Sequence, residues 1–177
     1  MKKLIALILV AVMAISLVAC SQKAPAAAEK TPLAGTMDEN AAKIMELAPV
    51  EFMAGPMPVD LADTSEDGKW ALQYYTGLSS ADSITDVAVY EPMMGSQAFS
   101  LVLVRTAEGA DAKAVAQEMK DNIDPRKWIC VGADEIMAAG YADTVMFIML
   151  DSQLGLSAQT YADAFAQIAG GELDFTI

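Results

Sequence analysis

Two apolar stretches constrain the fold of this chain more than any other feature of its sequence. Residues 97–106 and 145–150 are apolar at most positions, so neither stretch shows the strict alternation of a strand with one wet face. Strands that are apolar on both sides lie at the centre of a well-covered sheet. The chain is therefore predicted to fold around a sheet that has these two strands in its middle.

The remaining pattern places helices between neighbouring strands. Capping-box patterns begin at Thr36 and Thr64, and Ser157 has the position of a helix cap. The predicted helices are 37–48, a helix from Thr64 to near Gly77, 110–123, and a last helix stopped by Gly170. The predicted strands are 84–91, 97–106, 128–131, 135–141 and 144–150, and residues 49–62 are predicted to be irregular or an edge segment. Consecutive strands favour antiparallel pairing, so the predicted class is α+β, an antiparallel sheet of about four to five strands with helices packed on one face.

The N-terminus has the layout of an export signal. Lys2 and Lys3 precede an apolar run over residues 4–19, which is shorter than a membrane-spanning helix. The run ends in Leu17-Val-Ala-Cys20, which resembles the lipobox of bacterial lipoproteins. That resemblance implies cleavage before Cys20 and attachment of acyl chains, palmitate among them, to the new N-terminal cysteine. The alternatives are an ordinary signal peptide and an uncleaved anchor.

Three regions follow from this reading. Residues 1–19 are predicted to be a lipoprotein signal peptide, and residues 20–35 the lipidated Cys20 with a flexible linker. Residues 36–177 are predicted to form a single α+β domain. Loss of two signal lysines makes the mature protein more acidic than the full chain.

Composition excludes several classes of function. The formal charge of −13 opposes binding to nucleic acid. The chain has no histidine, so Ser-His-Asp triads and His-based zinc sites are excluded. Ser-x-x-Lys and a glycine-rich phosphate loop are also absent. No catalytic residue, metal ligand or cofactor is therefore predicted, and the protein is not expected to be an enzyme.

Several short segments between Trp70 and Leu150 carry a family resemblance. They are Tyr75-Thr-Gly-Leu78, Val87-Ala-Val-Tyr90, Ala98-Phe-Ser-Leu-Val-Leu-Val104, Ala110-Asp-Ala-Lys-Ala-Val115 and Gly140-Tyr141. Together they resemble a family of bacterial lipoproteins that share domain of unknown function 4358. The resemblance implies a lipobox signal, a tether and an α+β domain, and it implies no catalytic residues.

Two metal sites are considered and neither is favoured. Asp63, Ser65, Asp67 and Gly68 match the first positions of a calcium loop, but Tyr74 stands where the bidentate Glu is required. The favoured interpretation is that these acidic residues stabilise the start of a helix. Loop methionines could bind Cu(I), but other methionines fit the core and neither His nor paired Cys is available. The loop methionines are Met53, Met57, Met93 and Met94, and the core methionines are Met119, Met146 and Met149.

One thiol and a group of aromatic residues complete the candidates. Cys130 is the only thiol left after lipidation of Cys20, and it is expected to be buried in the 128–131 strand rather than reactive. The aromatic group could form an exposed surface for glycan or protein contact, but its helical spacing favours core packing. Its members are Trp70, Tyr74, Tyr75 and Tyr90.

These observations lead to one predicted function and one alternative. The chain is predicted to be a lipoprotein held through Cys20 on the extracytoplasmic face of the cell membrane. There it would act as a non-enzymatic binding or accessory module, with an envelope protein as a possible partner. The alternative is a carboxylate-dependent hydrolase acting on cell-wall or glycan substrates.

Overall fold

The computed structural model describes residues 30–177. The predicted signal peptide, Cys20 and linker residues 20–29 lie outside the described residues. The elements in chain order are α1 (Met37–Leu47), β1 (Ala54–Pro56), α2 (Glu66–Thr76), β2 (Ile84–Pro92), β3 (Phe99–Thr106), α3 (Ala112–Asn122), β4 (Glu135–Tyr141), β5 (Thr144–Leu150), a 3₁₀ turn (Ser152–Leu154), α4 (Ala158–Ala169) and β6 (Phe175–Thr176).

The strands form one antiparallel sheet in the order β1-β2-β3-β5-β4-β6. The predicted α+β class is therefore confirmed, but the sheet has six strands instead of four to five. The two additional strands are the edges β1 and β6, with three and two residues, and β1 lies within the segment 49–62 that was predicted to be irregular or an edge. Strands this short leave too little alternation in a sequence to be recognised.

The two apolar stretches occupy the centre of the sheet, as predicted. Every residue of β5 is buried, and Arg105 is the one residue of β3 that is not. Strand β4 joins β5 through the two-residue turn Ala142–Asp143, in which Ala142 has a φ of 51°. The hairpin predicted over 135–150 is thus confirmed with its turn.

The helices cover both faces of the sheet, so the prediction that they pack on one face is wrong. Helices α1 and α4 lie on one face with Leu101, Leu103 and Ile148 of the central strands. Helices α2 and α3 lie on the other face with neighbouring residues of the same strands. The reason is in the central strands themselves, because a strand that is apolar on both sides needs cover on both sides.

Side chains at the helix starts show why the helices begin where they do. Thr36 and Glu39 form the predicted capping box of α1, and Ser157 caps α4. The cap of α2 is Ser65, which accepts a hydrogen bond from the Gly68 N–H, so the predicted cap at Thr64 is wrong by one residue.

The segment 128–131 is not a strand. It lies within the connecting loop between α3 and β4, which we define as residues 123–134. The loop closes on itself where the Ala133 N–H donates to the Pro125 carbonyl at 2.8 Å, and it joins the sheet where the Asp134 N–H donates to the Leu150 carbonyl at 3.0 Å. Trp128 is buried within the loop.

The first described residues pack against the domain. Lys30 forms an ion pair with Asp174 at 2.8 Å and lies 4.9 Å from the centre of the Tyr141 ring. Leu33 is buried in the core, and the Arg105 guanidinium donates to its carbonyl at 2.9 Å. The folded part thus includes residues 30–35, which were predicted to belong to the flexible linker. No helix within residues 30–177 is long and apolar enough to cross a membrane.

Candidate functional site

The two ends of the sheet differ in what they carry. We call the end where β2 and β5 finish, at Pro92 and Leu150, the distal end. The opposite end, at the Ala142–Asp143 turn, is the proximal end, and the described chain starts there through the contact of Lys30 with Asp174. Strand pairing fixes this assignment, since Phe99 pairs with Leu150 and Arg105 pairs with Thr144.

The large hydrophobic side chains that are exposed in the described chain gather at the distal end. Met53 lies beside Met93 and Met94, because the Met93 N–H donates to the Met53 carbonyl where β1 meets the end of β2. Leu47 lies at the end of α1, beside the turn that follows β5. Ile129 lies in the connecting loop, and Trp70 lies on α2 against the end of α3. These residues are Met53, Met93, Met94, Leu47, Ile129 and Trp70.

A buried ion pair holds the connecting loop to the distal end. The Lys127 ammonium lies 2.5 Å from Oε1 of Glu91, and the two side chains are 1% and 7% exposed. The Ser100 hydroxyl, on β3, donates to the same Glu91 oxygen at 2.8 Å. Lys127 comes from the loop while Glu91 and Ser100 come from the sheet, so the pair joins the loop to the sheet.

Aromatic rings enclose the Lys127 ammonium. It lies 4.9 Å from the centre of the Tyr74 ring, 5.3 Å from that of Tyr75 and 5.5 Å from that of Trp128. Lys127 also donates to the Tyr74 carbonyl at 3.2 Å, and the Tyr74 hydroxyl donates back to the Lys127 carbonyl at 3.3 Å. Helix α2 and the connecting loop are therefore tied together at the same point.

Burial shifts the pKa values of this group. Desolvation lowers the pKa of Lys127, and the Glu91 carboxylate partly opposes that effect. Desolvation, assisted by the negative charge of Glu91, raises the pKa values of Tyr74 and Tyr75. Since the ammonium is almost entirely shielded from solvent, we assign Lys127 to holding the loop and not to contacting a substrate.

The connecting loop borders two clefts that open to solvent. The larger cleft has a volume of about 580 Å³ and lies within the loop itself. Its lining includes Arg126, Trp128, Cys130 and Asp134. The smaller cleft, of about 190 Å³, lies between α2 and the end of α3 and is lined by Trp70, Gln73, Tyr74, Asn122 and Asp124.

The predicted calcium-loop residues form a helix start. Asp63 accepts a hydrogen bond from the Ser65 N–H at 2.9 Å, and the hydrogen bonds from Ser65 lower the pKa of its carboxyl group. Ser65 in turn caps α2. Within residues 30–177 no three His, Cys, Asp or Glu side chains form a group that could hold a metal ion.

The methionines divide between core and surface. Met119, Met146 and Met149 are buried, as predicted. Met53, Met93 and Met94 are exposed at the distal end, and Met57 is partly buried against the core on the face that α2 and α3 cover. Copper binding by these thioethers stays an unfavoured prediction that the fold does not test.

Cys130 is exposed, so the expectation that it is buried is wrong. The expectation rested on a strand over residues 128–131, and the segment instead turns back on itself. Cys130 occupies the left-handed region with a φ of 64°, which a residue other than glycine seldom adopts. Its side chain borders the larger cleft.

The aromatic candidates also separate. Tyr74, Tyr75 and Tyr90 are partly buried, in line with the favoured prediction of packing. Trp70 is 61% exposed, so core packing is wrong for this residue. The Lys127–Glu91 pair was not predicted, and the one available signal was a glutamate directly after the apolar segment Val87-Ala-Val-Tyr90.

Comparison with known proteins finds no relative of this chain. No protein-family model, curated protein sequence or solved structure matches this chain. The distal end is therefore the candidate functional site on its geometry alone, because the exposed hydrophobic side chains, the connecting loop and both clefts lie together there.

Proposed function

We propose that this protein is a non-enzymatic binding or accessory module, anchored by lipid on Cys20 to the extracytoplasmic face of the cell membrane. The support for the anchor is the sequence Leu17-Val-Ala-Cys20 after a basic and apolar leader. The resemblance to the lipoproteins that share domain of unknown function 4358 agrees with this proposal.

The arrangement of the two ends carries the proposal. The described chain begins at the proximal end, where Lys30 contacts Asp174, and the exposed hydrophobic residues lie at the distal end. Residues 20–29 can span at most about 35 Å. A domain tethered through its proximal end leaves its distal end free to face away from the lipid, where a second envelope component can reach it.

The composition of the distal end suits a protein partner. Exposed aromatic residues and methionines are enriched at protein interfaces, and Trp70, Met93 and Ile129 are each more than half exposed. Exposed hydrophobic side chains that gather in one region mark interaction sites more often than singly scattered ones do. The buried Lys127–Glu91 pair holds the loop that carries Ile129, so the surface is formed before a partner binds.

The hydrolase alternative receives less support because three of the distal carboxylates are engaged in contacts that shape the fold. Glu91 pairs with Lys127. Asp134 accepts hydrogen bonds from the Ser152 N–H and hydroxyl, and Glu135 accepts one from the Ala158 N–H that starts α4. Catalysis by a carboxylate pair requires acids that reach the substrate.

Membrane fractionation tests the anchor. In cells that produce the full chain, the wild-type protein is expected in the membrane fraction and the Cys20→Ala variant outside it. The matched control is Cys130→Ala, which removes the other cysteine and leaves the membrane association unchanged. Retention of Cys20→Ala in the membrane would refute the lipid anchor.

Photo-crosslinking in intact cells tests the binding surface. A photo-reactive amino acid replaces Ile129 or Met93 at the distal end, and in a third variant it replaces Glu108, which follows β3 at the proximal end. We expect a discrete crosslinked protein from the distal positions and none from Glu108. Equal adducts at both ends, or none at the distal positions, would contradict the proposed function.

A further inference from the structure

The smaller cleft combines the exposed indole of Trp70 with polar side chains that are open to solvent. Trp70 stacks on Tyr74, with ring centres 4.7 Å apart and an angle of 20° between the planes. Despite that stacking the indole is 61% exposed, so much of its surface faces solvent. Gln73, Asn122 and Asp124 line the same cleft.

The stack under Trp70 is fixed in place. Tyr74 exchanges hydrogen bonds with Lys127, whose ammonium also lies over its ring. Lys127 is held in turn by Glu91. An aromatic side chain that is already held in its binding orientation loses little conformational entropy when a ligand arrives.

Asp124 keeps a free acceptor at the edge of the cleft. Its Oδ1 accepts the Arg126 N–H at 2.8 Å, whereas its Oδ2 accepts no hydrogen bond from the described residues. The side chain is exposed, as are the amides of Gln73 and Asn122. Two cations lie near the cleft, and each is paired with another carboxylate: Lys69 with Glu66 at 3.0 Å, and Lys127, whose pKa the charge of Asp124 also raises, with Glu91.

We propose that this cleft receives the lysine or arginine side chain of a basic segment in an envelope protein. The inference rests on the proposed function, because it names the chemistry of the partner that the distal end binds. The indole attracts a cation through its π-face, and tryptophan is the strongest aromatic partner for one. The Asp124 carboxylate adds an acceptor for the N–H groups of the same cation.

The charge of the whole chain favours this occupant over others. A formal charge of −13 attracts basic segments and speeds their association, while it repels anionic wall polymers. A neutral glycan could stack on Trp70 but would gain nothing from that charge. The glycan is therefore an outcome of the test and not the proposal.

The test compares two peptides of nearly the same shape, one with charged guanidinium groups and one with neutral urea groups. Full-length protein in neutral detergent is titrated with acetyl-tetraarginine amide and with the equivalent citrulline peptide, which lacks the charge. Binding is followed by calorimetry and by tryptophan fluorescence. We expect the arginine peptide to bind and to weaken with added salt, and the citrulline peptide not to bind.

Variants locate the binding in the cleft. Trp70→Ala is expected to weaken arginine-peptide binding about 2- to 30-fold. Asp124→Asn keeps the Oδ1 acceptor for Arg126 and is expected to weaken binding about 2- to 5-fold. The matched control is Glu108→Gln, which removes an exposed carboxylate at the proximal end and leaves the affinity unchanged.

Each contrary outcome overturns the inference. It is overturned by equal binding of the citrulline peptide, by wild-type affinity in Trp70→Ala, or by absence of arginine-peptide binding. Trp70-dependent binding of chitotriose that is insensitive to salt would also overturn it and identify a glycan site. If crosslinking from Ile129 persists in cells when Trp70 is replaced by alanine, the proposed function stands and this inference alone fails.

Discussion

The Lys127 ammonium and the Glu91 carboxylate lie 2.5 Å apart in a region that solvent scarcely reaches. One charge comes from the connecting loop and the other from the end of β2. Burying two charges is costly unless each has its partner, so the pair depends on both members. The position of the loop, with Ile129 and Cys130 on its surface, follows from this contact.

Removal of the lysine alone leaves a buried carboxylate without its partner. Lys127→Met is therefore expected to lower the free energy of unfolding by about 3–5 kcal/mol. Equilibrium unfolding in urea measures the change. The double variant Glu91→Gln with Lys127→Met is expected to recover much of that loss, because the amide oxygen that replaces the carboxylate still accepts from the Ser100 hydroxyl.

A matched exposed pair provides the control. Lys69 and Glu66 form an ion pair at 3.0 Å on the surface of α2, with side chains 60% and 93% exposed. Lys69→Met is expected to change stability by less than about 0.5 kcal/mol. If Lys127→Met and Lys69→Met lowered the free energy of unfolding equally, burial would not make the ion pair of Lys127 more important for stability.

Tyr161 is a second buried group with a measurable consequence. Its hydroxyl is buried and has no hydrogen-bond partner within the described residues, and desolvation raises its pKa to about 12. An unsatisfied buried hydroxyl costs about 1–3 kcal/mol. Tyr161→Phe is therefore expected to raise the free energy of unfolding at neutral pH.

The advantage of Tyr161→Phe is also expected to grow at alkaline pH. The folded protein holds the phenol proton to higher pH than the unfolded chain, so the contribution of Tyr161 is complete below pH 10 and decreases between pH 10 and 12. Urea unfolding at about pH 9 and about pH 11 should show the difference between the two proteins widening by up to about 1 kcal/mol. A constant difference would argue against a raised pKa.

The sequence was sufficient where the signal is local. The cap at Thr36, the apolar stretch 145–150 and the two-residue turn before Thr144 all depend on neighbours in the chain, and the structure confirms them. The number of faces that the helices cover was wrongly predicted, although the apolar character of β3 and β5 on both sides already required cover on both.

The candidate site could not be predicted because its contacts are distant in sequence. Trp128-Ile-Cys-Val131 has the composition of a strand, but Lys127 is held by Glu91 and the segment folds into a loop. The exposure of Cys130 follows from that loop. The same contact positions Tyr74 beneath Trp70, so the exposure of the indole could not be predicted from helical spacing either.

Gly140 makes room for the last strand. A Cβ atom at this position would overlap with the Phe175 ring of β6. Gly140→Ala is therefore expected to displace β6 and destabilise the protein by about 1–3 kcal/mol. Hydrogen exchange should show the Ile177 amide, which donates to the Ala138 carbonyl at 2.8 Å, losing its protection.

A double-mutant cycle identifies the clash as the cause. Phe175→Ala removes the ring that the new methyl group meets. In that background Gly140→Ala is expected to cost less by about 1 kcal/mol or more, which is the coupling typical of residues in direct contact. Additive losses would show that the alanine acts through the backbone of β4 and not through Phe175.

Counting reactive thiols in the native protein tests the loop and the lipid anchor together. Cys130 is exposed, and acylation of Cys20 would leave it as the one thiol of the chain. Maleimide is therefore expected to label the folded, membrane-extracted protein once per chain, at nearly the rate seen in urea, because a thiol that solvent reaches needs no unfolding to react. Cys130→Ser is expected to take no label. Mass spectrometry reads both results: a label on Cys130→Ser would reveal a free thiol at Cys20, and labelling of the wild-type protein in urea alone would contradict the exposed loop.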